Sequence, residues 1–427
     1  MRPSHLDLKR HVRVVDVPGS ADEGKVVKDA IIECHDRFSR TGNLIPAWDV
    51  TVVPLPRDQG ADRTRLCILF SYSHSHGDGT AGLSFHTSFL DGLRQHTGIA
   101  RTDGTFVYES PHHSLMPAFA EAVNLKISWP YLLGALFSNS LPTFLRLALG
   151  LPLLNLATGT TWLGRPVAHD AKALYTGLGT LVLANADVKG LLSACRAHDV
   201  RLTGLLHQLI VRALSQSLSE YCNSDDSAPA HDIVATTPLN LRRLAPGWAS
   251  ATDMVMAVSA TQELFPAAVQ PESDDSADVM LWSGAKETGV KLAAAASTLA
   301  DQPIGLLRYV SDIRSWLADQ LGKPRDCSYE LSNIMTFDPE KEGPQQMAAE
   351  LTDRGWEVGN MYFSQPANVV GPPLNFSVVS RKGGDLVVCL SWQVGVLGVS
   401  DESAFAKEVL ASVESQVGEM IKGERKE

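Results

Sequence analysis

Phe70-Ser-Tyr-Ser-His-Ser-His-Gly-Asp-Gly-Thr-Ala-Gly-Leu-Ser-Phe-His86 reads as the end of a strand, a tight turn and the first turns of a helix. Upstream, Arg65 to Tyr72 is a short run rich in apolar and aromatic residues, too short for a stable helix. Downstream, Ala81, Phe85 and Phe89 recur at i, i+4 and i+8, which predicts a helix over residues 80–93 with one face aimed at a core. The turn between them presents His74, and Asp78 lies four residues on, close enough to brace the ring or the loop. Gly77 and Gly79 are expected to supply backbone angles that other residues resist. Histidine titrates near neutrality, so an exposed ring here can take a proton from a hydroxyl and return it.

Working outward, Asp49 to Pro54 predicts a second strand beside the first, joined to it by the polar turn Asp58 to Thr64. A Gly- and Thr-rich passage at residues 156–172 reads as the link between two halves, 1–160 and 161–427. Beyond it come a strand at Thr180 to Ala184, a helix with Asp187 as its N-cap, and a second helix capped by Thr203. Leu206, Leu209, Ile210, Ala213 and Leu214 form the buried face of that second helix. Ser224 to Ala230 and Pro271 to Asp278 are acidic, serine-rich and expected to be surface loops. Three late strands follow, at Glu330 to Phe337, Ala367 to Val379 and Leu386 to Leu397. A last helix opens at Asp401, with Phe405, Val409, Val413 and Val417 at i+4 spacing. The fold class is α+β.

Composition narrows the function. The chain has 427 residues and a formal charge of −11, which argues against sequence-independent binding to nucleic acid. Its six cysteines, at 34, 67, 195, 222, 327 and 389, form no CxxC pair, which suits a reduced, cytoplasmic setting and neither a disulfide framework nor a zinc ribbon. The first residues are charged too early for a secretory signal. Trp129 to Thr158 is the most apolar stretch, but Ser138, Asn139, Ser140, Pro142, Arg146 and Pro152 interrupt it. It reads as a core or interface helix pair, with membrane-surface contact the less favoured alternative.

Two other chemistries start from the same residues. His74-x-His76-x-Asp78 opens like a metallohydrolase ligand set, but Gly79 stands where the next histidine would be, and no later His/Asp group completes it. No metal is expected. A serine hydrolase is equally poor, because the chain has no Gly-x-Ser-x-Gly elbow. His76 is the second choice as base, while His86 and His207 fall on helical patterns and read as structural.

His74-Ser-His-Gly-Asp78-Gly79 followed by a helix resembles the active-site motif of the superfamily of chloramphenicol acetyltransferase, the BAHD enzymes and peptide-synthetase condensation domains. The longer string HSHGDGTAGLSFHTSFLDGL is most similar to the fungal and yeast alcohol acetyltransferase branch. Weaker similarities follow in order: Pro46-Ala-Trp48, Leu202 to Leu214, Pro238-Leu-Asn-Leu-Arg242, Ser332-Asn333 with Phe337-Asp338, and Phe363-Ser-Gln365 leading to Leu390-Ser-Trp392. The resemblance implies a two-lobed, condensation-domain-like sandwich with a channel between the lobes. It also implies transfer of an acetyl or other short acyl group from acyl-CoA, as co-substrate, to the hydroxyl of a small alcohol or secondary metabolite. No tightly bound cofactor is implied. His74 would be the general base and Asp78 a structural partner of an arginine, with Arg242 the candidate. Gly79 and His76 would support the loop, and Ser332, Asn333 and Trp392 would lie near the channel or the oxyanion. Beside the family the lead before His74 is short, which implies a first lobe shortened at its N-terminus, either a pared-down member or a truncated chain. The chain departs from its relatives by lacking the BAHD Asp-Phe-Gly-Trp-Gly motif, and it carries Ser73 where condensation domains have a second histidine. The alternative reading keeps the fold but changes the reaction to carrier-bound acyl transfer, amide formation, or a cyclase or isomerase step without CoA.

Overall fold

The computed structural model describes residues 4–17, 22–41, 47–56, 64–95, 106–110, 114, 116–138, 140–170, 174–222, 230–250, 253–267, 274–340, 356–366 and 368–424. The expected polar segments at 58–63 and 224–229, together with Pro46 and Asn139, lie outside them. The chain divides into two compact units. The first takes Met1–Ala122 and then recruits two later segments, Gly247–Ala257 and Phe337–Gly359. The second holds Val123–Pro246, Val258–Thr336 and Asn360–Glu427. The passage at 156–172, expected to be the link, belongs to the second unit. There Trp162 and Val167 are buried, and the Trp162 N–H donates to the Asp232 carbonyl.

In the first unit β1 (His5–Asp7) and β2 (Val12–Val14) precede α1 (Glu23–Thr41), β3 (Trp48–Pro54), β4 (Leu66–Tyr72), α2 (Gly79–Gln95), β5 (Val107–Glu109) and α3 (Phe119–Ala122). β2, β3 and β4 make one sheet, parallel between β2 and β3 and antiparallel between β3 and β4, with Val50 opposite Phe70. β1 pairs antiparallel with β5. The stripe expected on α2 is what joins that helix to the sheet. The Phe85 ring stacks on Phe70, with centroids 3.8 Å apart and planes 7° apart, and Phe89 continues the stack at 5.7 Å. Such pairs contribute about 0.5–1.5 kcal/mol beyond their buried area. On the other helix, Arg37 is ion-paired with the buried Asp49 of β3.

The second unit opens with two short helices, α4 (Trp129–Leu136) and α5 (Thr143–Ala148). β6 (Thr176–Leu183), α6 (Asn185–Ala197), α7 (Leu202–Cys222), β7 (Ile233–Asn240), β8 (Val258–Phe265) and α8 (Asp274–Ala295) follow. The short α9 (Pro303–Leu306) and α10 (Ile313–Ala318) lead to β9 (Tyr329–Phe337), β10 (Leu374–Arg381), β11 (Leu386–Gln393) and α11 (Glu402–Glu424). Its six-stranded sheet runs β6-β11-β10-β9-β7-β8 and is mixed, with β7 and β9 parallel. The apolar faces read from α7 and α11 are buried, including Leu206, Leu209, Ile210, Ala213, Leu214, Phe405, Val409, Val413 and Val417.

Several local expectations change. Asp187 lies within the first turn of α6 and is not its N-cap. Ala184 holds the cap position, and Asp385 accepts from the Asn185 N–H at 3.0 Å instead. Thr203 is likewise inside α7, and its hydroxyl is turned to Asn333. Residues 274–278, expected in a loop, begin α8. Asp401 does cap the last helix, accepting from the Ala404 N–H. The stretch from Trp129 did not become a core pair: Trp129 and Phe144 are exposed, and of α5 only Arg146 is buried.

One buried histidine of the second core is paired at both ring nitrogens. His207 lies between the Tyr329 hydroxyl, 2.7 Å from Nδ1, and the Thr237 hydroxyl, 3.0 Å from Nε2. Burial lowers its pKa to about 3. An unfolded chain regains the ordinary value near 6.5, so between these values the unfolded state binds the extra proton and stability falls as pH drops. Urea unfolding at pH 7 and pH 5 should therefore show the wild type losing about 2 kcal/mol more than His207→Gln over that interval.

Candidate active site

β4 ends at Tyr72, α2 starts at Gly79, and residues 73–78 turn the chain between them. The Ser73 carbonyl accepts from the His76 N–H at 2.9 Å and closes the turn. Asp78 is the N-cap of α2. Its Oδ1 accepts from the Thr80 and Ala81 N–H groups at 3.1 and 3.3 Å, satisfying two helix-end donors that would otherwise lack partners. Oδ2 accepts from the Ala257 N–H at 3.0 Å, and the Asp78 N–H reaches the Val255 carbonyl at 3.4 Å. Residues 255 and 257 belong to a segment that returns to the first unit. The carboxylate is buried, and it fastens the loop both to its own helix and to that returning strand of chain.

His74 is exposed on this turn. Its Nδ1 lies 2.9 Å from the Gly77 carbonyl oxygen. A carbonyl only accepts, so Nδ1 carries a proton, and in the neutral ring the lone pair is then on Nε2. Among the described residues Nε2 has no hydrogen-bond partner. The arrangement is an imidazole oriented through Nδ1, on an exposed turn.

Gly77 is required by space and not by its backbone angle, because its φ is not positive. A Cβ at this position would lie 2.8 Å from the Ala81 Cβ and 3.4 Å from Tyr72 Cε2. Gly79 is the first residue of α2 and needs no special angle either. Tyr72, not anticipated from the sequence, supports the loop from below: its hydroxyl donates to the Asp78 carbonyl at 2.6 Å. An aromatic residue at the last strand position before a histidine turn was the available signal. The returning segment at 255–257 had none. His76 is exposed, with Nδ1 2.9 Å from the Ser75 hydroxyl. His86 is edge-on to Phe85, and burial lowers its pKa to about 4, so it is neutral near pH 7.

The other expected site residues belong to the second unit. Arg242 opens the 3-10 turn Arg242–Leu244 after β7, where its N–H donates to Asn240 Oδ1. Ser332 is buried on β9. Asn333 is held at both ends of its amide, donating to Thr203 Oγ1 and accepting from the Met335 N–H. Trp392 packs over Gly177 of the neighbouring strand, and its indole N–H donates to Glu402 at 3.1 Å. That tryptophan is committed to the core. Burial raises the thiols of Cys67 and Cys389 to about 12 and that of Cys195 to about 11, which keeps them protonated and poor as nucleophiles. Among the described residues no His/Cys/Asp/Glu group of metal-binding geometry occurs.

The model of the alcohol acetyltransferase family matches residues 18–413. The chain belongs to the alcohol acetyltransferase family. A probable alcohol acetyltransferase of Fusarium pseudograminearum, FCK4, is 24% identical over 409 residues, covering 92% of this chain and 75% of that protein. Another, crmB of Aspergillus fumigatus, is 22% identical over 412 residues, covering 92% and 79%. Among solved structures, the trichothecene 15-O-acetyltransferase TRI3 of Fusarium sporotrichioides superposes with a TM-score of 0.64 at 14% identity, over 96% of this chain and 76% of that one. The epimerization domain of tyrocidine synthetase B gives 0.51 at 14% identity, over 97% and 79%. The α+β fold is thus the condensation-domain-like one, and membership in the family makes the chain an acyltransferase.

The loop geometry carries a direct test. Gly77→Ala should destabilise the first unit by about 1–3 kcal/mol through overpacking. Gly77→Ala with Ala81→Gly removes the close contact and should recover part of that loss, as measured by chemical denaturation.

Proposed function

We propose that this acyltransferase moves an acetyl or other short acyl group from acyl-CoA to the hydroxyl of a small alcohol or hydroxylated secondary metabolite, with His74 Nε2 as general base. The observation that carries the reading is the Nδ1–H bond to the Gly77 carbonyl, which makes Nε2 the basic nitrogen of the neutral ring on an exposed loop. In the step, Nε2 takes the hydroxyl proton as the alcohol oxygen attacks the thioester carbonyl carbon. The tetrahedral intermediate collapses with cleavage of the C–S bond, and the imidazolium returns its proton to the departing CoA thiolate. Alcohol and acyl-CoA are consumed, and ester and free CoA are formed. The Gly77 carbonyl faces the Nδ1–H throughout and favours the transient imidazolium.

Asp78 acts through position. Its carboxylate holds the turn against α2 and residue 257 and so sets where the ring stands. Arg242 and His76, as loop support, and Ser332 and Asn333, as oxyanion contacts, keep the roles that the resemblance gives them as part of the same proposal.

Incubation with acetyl-CoA and a panel of alcohols and amines should release free thiol only when a hydroxyl acceptor is present, with product mass raised by one acetyl group. His74→Ala should lower kcat by about 10²- to 10⁴-fold with the fold intact by circular dichroism. Unchanged turnover in that variant would reject His74 as the base. Product formed without any thioester would favour the cyclase or isomerase alternative. Asp78→Asn places an amide N–H against the Ala257 N–H, and it should cost about 1–3 kcal/mol of stability in addition to activity.

A further inference from the structure

On β10, Leu374, Phe376 and Val378 point into the core that α7 and α11 share, with Trp392, Leu390 and Val388 of β11 opposite them. Alternation along a strand sends the residues between them to the other face of the sheet. There Asn375 stands opposite Ser391, Ser377 opposite Cys389, and Gln393 opposite Thr176 of β6. A sheet face turned away from the core is ordinarily polar because it meets water. This one is polar and yet shut off from water: Asn375 and Ser377 are 0% exposed, Ser391 1% and Gln393 6%.

Polar groups buried this deeply normally find partners. Among the described residues, Asn375 Nδ2, the Ser377 and Ser391 hydroxyls and Gln393 Oε1 have none. The sheet does not force this, because farther along the same face the opposed pair Val379 and Val387, also buried, fills the space with carbon. An apolar group of similar size in place of an unpaired buried hydroxyl stabilises a fold, so the polar set is kept against stability. Nor is the region loosely held. The Phe363 N–H donates to Cys389 Sγ, and Asn368 Nδ2 donates to Asn375 Oδ1 at 2.8 Å, so chain of the same unit lies against this face. Arg325 fixes the backbone just beyond, donating to the Val369 and Gly371 carbonyls at 3.2 and 2.7 Å.

The open hydrogen-bonding positions define what satisfies them. Asn375 Nδ2 donates, Gln393 Oε1 accepts, and each serine hydroxyl does both. Together they match hydroxyl groups, which also do both. On β6, β10 and β11 no charged residue shares this stretch of the face, so it favours neither a phosphate nor a carboxylate. Ser377 lies about 7 Å from Asn375 along β10, and Asn375 faces Ser391 across about 5 Å, so the set addresses more than one oxygen of a ligand. Of the two substrates in the proposed reaction, acyl-CoA brings phosphates and the acceptor is the one defined by hydroxyls.

We propose that Asn375, Ser377, Ser391 and Gln393 form a recognition site for the non-reacting hydroxyl groups of the acceptor, which makes that acceptor an uncharged molecule with several hydroxyls. This rests on the acyltransferase reading above, in which one further hydroxyl reacts. Burial of the four groups means that a ligand reaches them only when the Phe363 and Asn368 contacts part. The experiment is calorimetric binding of cyclohexane-1,3,5-triol and of cyclohexanol to the full chain. The wild type should bind the triol at least about tenfold more tightly, and Ser377→Ala/Ser391→Ala should bring the two alcohols within about threefold of each other. The double variant should also unfold at a higher denaturant concentration than the wild type; a lower midpoint would mean that the hydroxyls have partners and would overturn the proposal. Equal binding of both alcohols by the wild type, or an unchanged preference in the double variant, would overturn it in favour of internal water. An equal loss of acetyl-CoA affinity in the double variant would overturn it by assigning the groups to the pantetheine arm. Binding is read without turnover, so His74→Ala should keep the wild-type preference, while free-thiol release tests the acyl transfer separately.

Discussion

A single buried carboxylate, Asp78, holds the loop that carries His74. Asp78 faces backbone N–H groups of residues 80, 81 and 257, so it joins a helix terminus to a piece of chain far away in sequence. A carboxylate at a helix N-terminus gains from the unpaired donors and from the positive end of the helix dipole. With Asp78 fixed, Tyr72 below it and Gly77 beside it leave one course for the turn, and that course directs the His74 ring. The motif works as a unit because its aspartate is a fastener and its first glycine is a clearance.

Much of the frame was legible in the chain. The strands around residues 50 and 70, the stripe Ala81–Phe85–Phe89 and the i+4 series on α11 are local signals, and each is realised where the periodicity put it. Boundaries were less readable because helix ends are satisfied from elsewhere. Asp187 has the right residue type for a cap, but Asp385 supplies the acceptor at the start of α6. Thr203 likewise lost its expected cap role to a contact with Asn333 on another strand. No window around residue 187 or 203 contains that information.

The candidate site divides in the same way. His74 and its offset from Asp78 were readable as a motif; the proton position on the ring was not, because it depends on the backbone of Gly77 turning its carbonyl inward. Glycine was read as a source of unusual angles, whereas at position 77 its value is the missing methyl group. Trp392 shows the opposite limit. A tryptophan in a family-like strand suggests a channel wall, but the missing side chain of Gly177 across the strand pair makes room for its ring in the core.

The first unit is not continuous in sequence, and this has a consequence for how the protein is made. The bond from the Ala257 N–H to Asp78 spans 179 positions, so the loop bearing His74 leaves the ribosome long before one of its partners exists. During that interval α2 can form and stack on Phe70, but the turn before it lacks its far anchor. The growing chain must therefore build much of the second unit, from Val123 to Pro246, while the first is still open. Synthesis itself imposes an order in which the His74 loop is among the earliest parts translated and among the later parts to be locked.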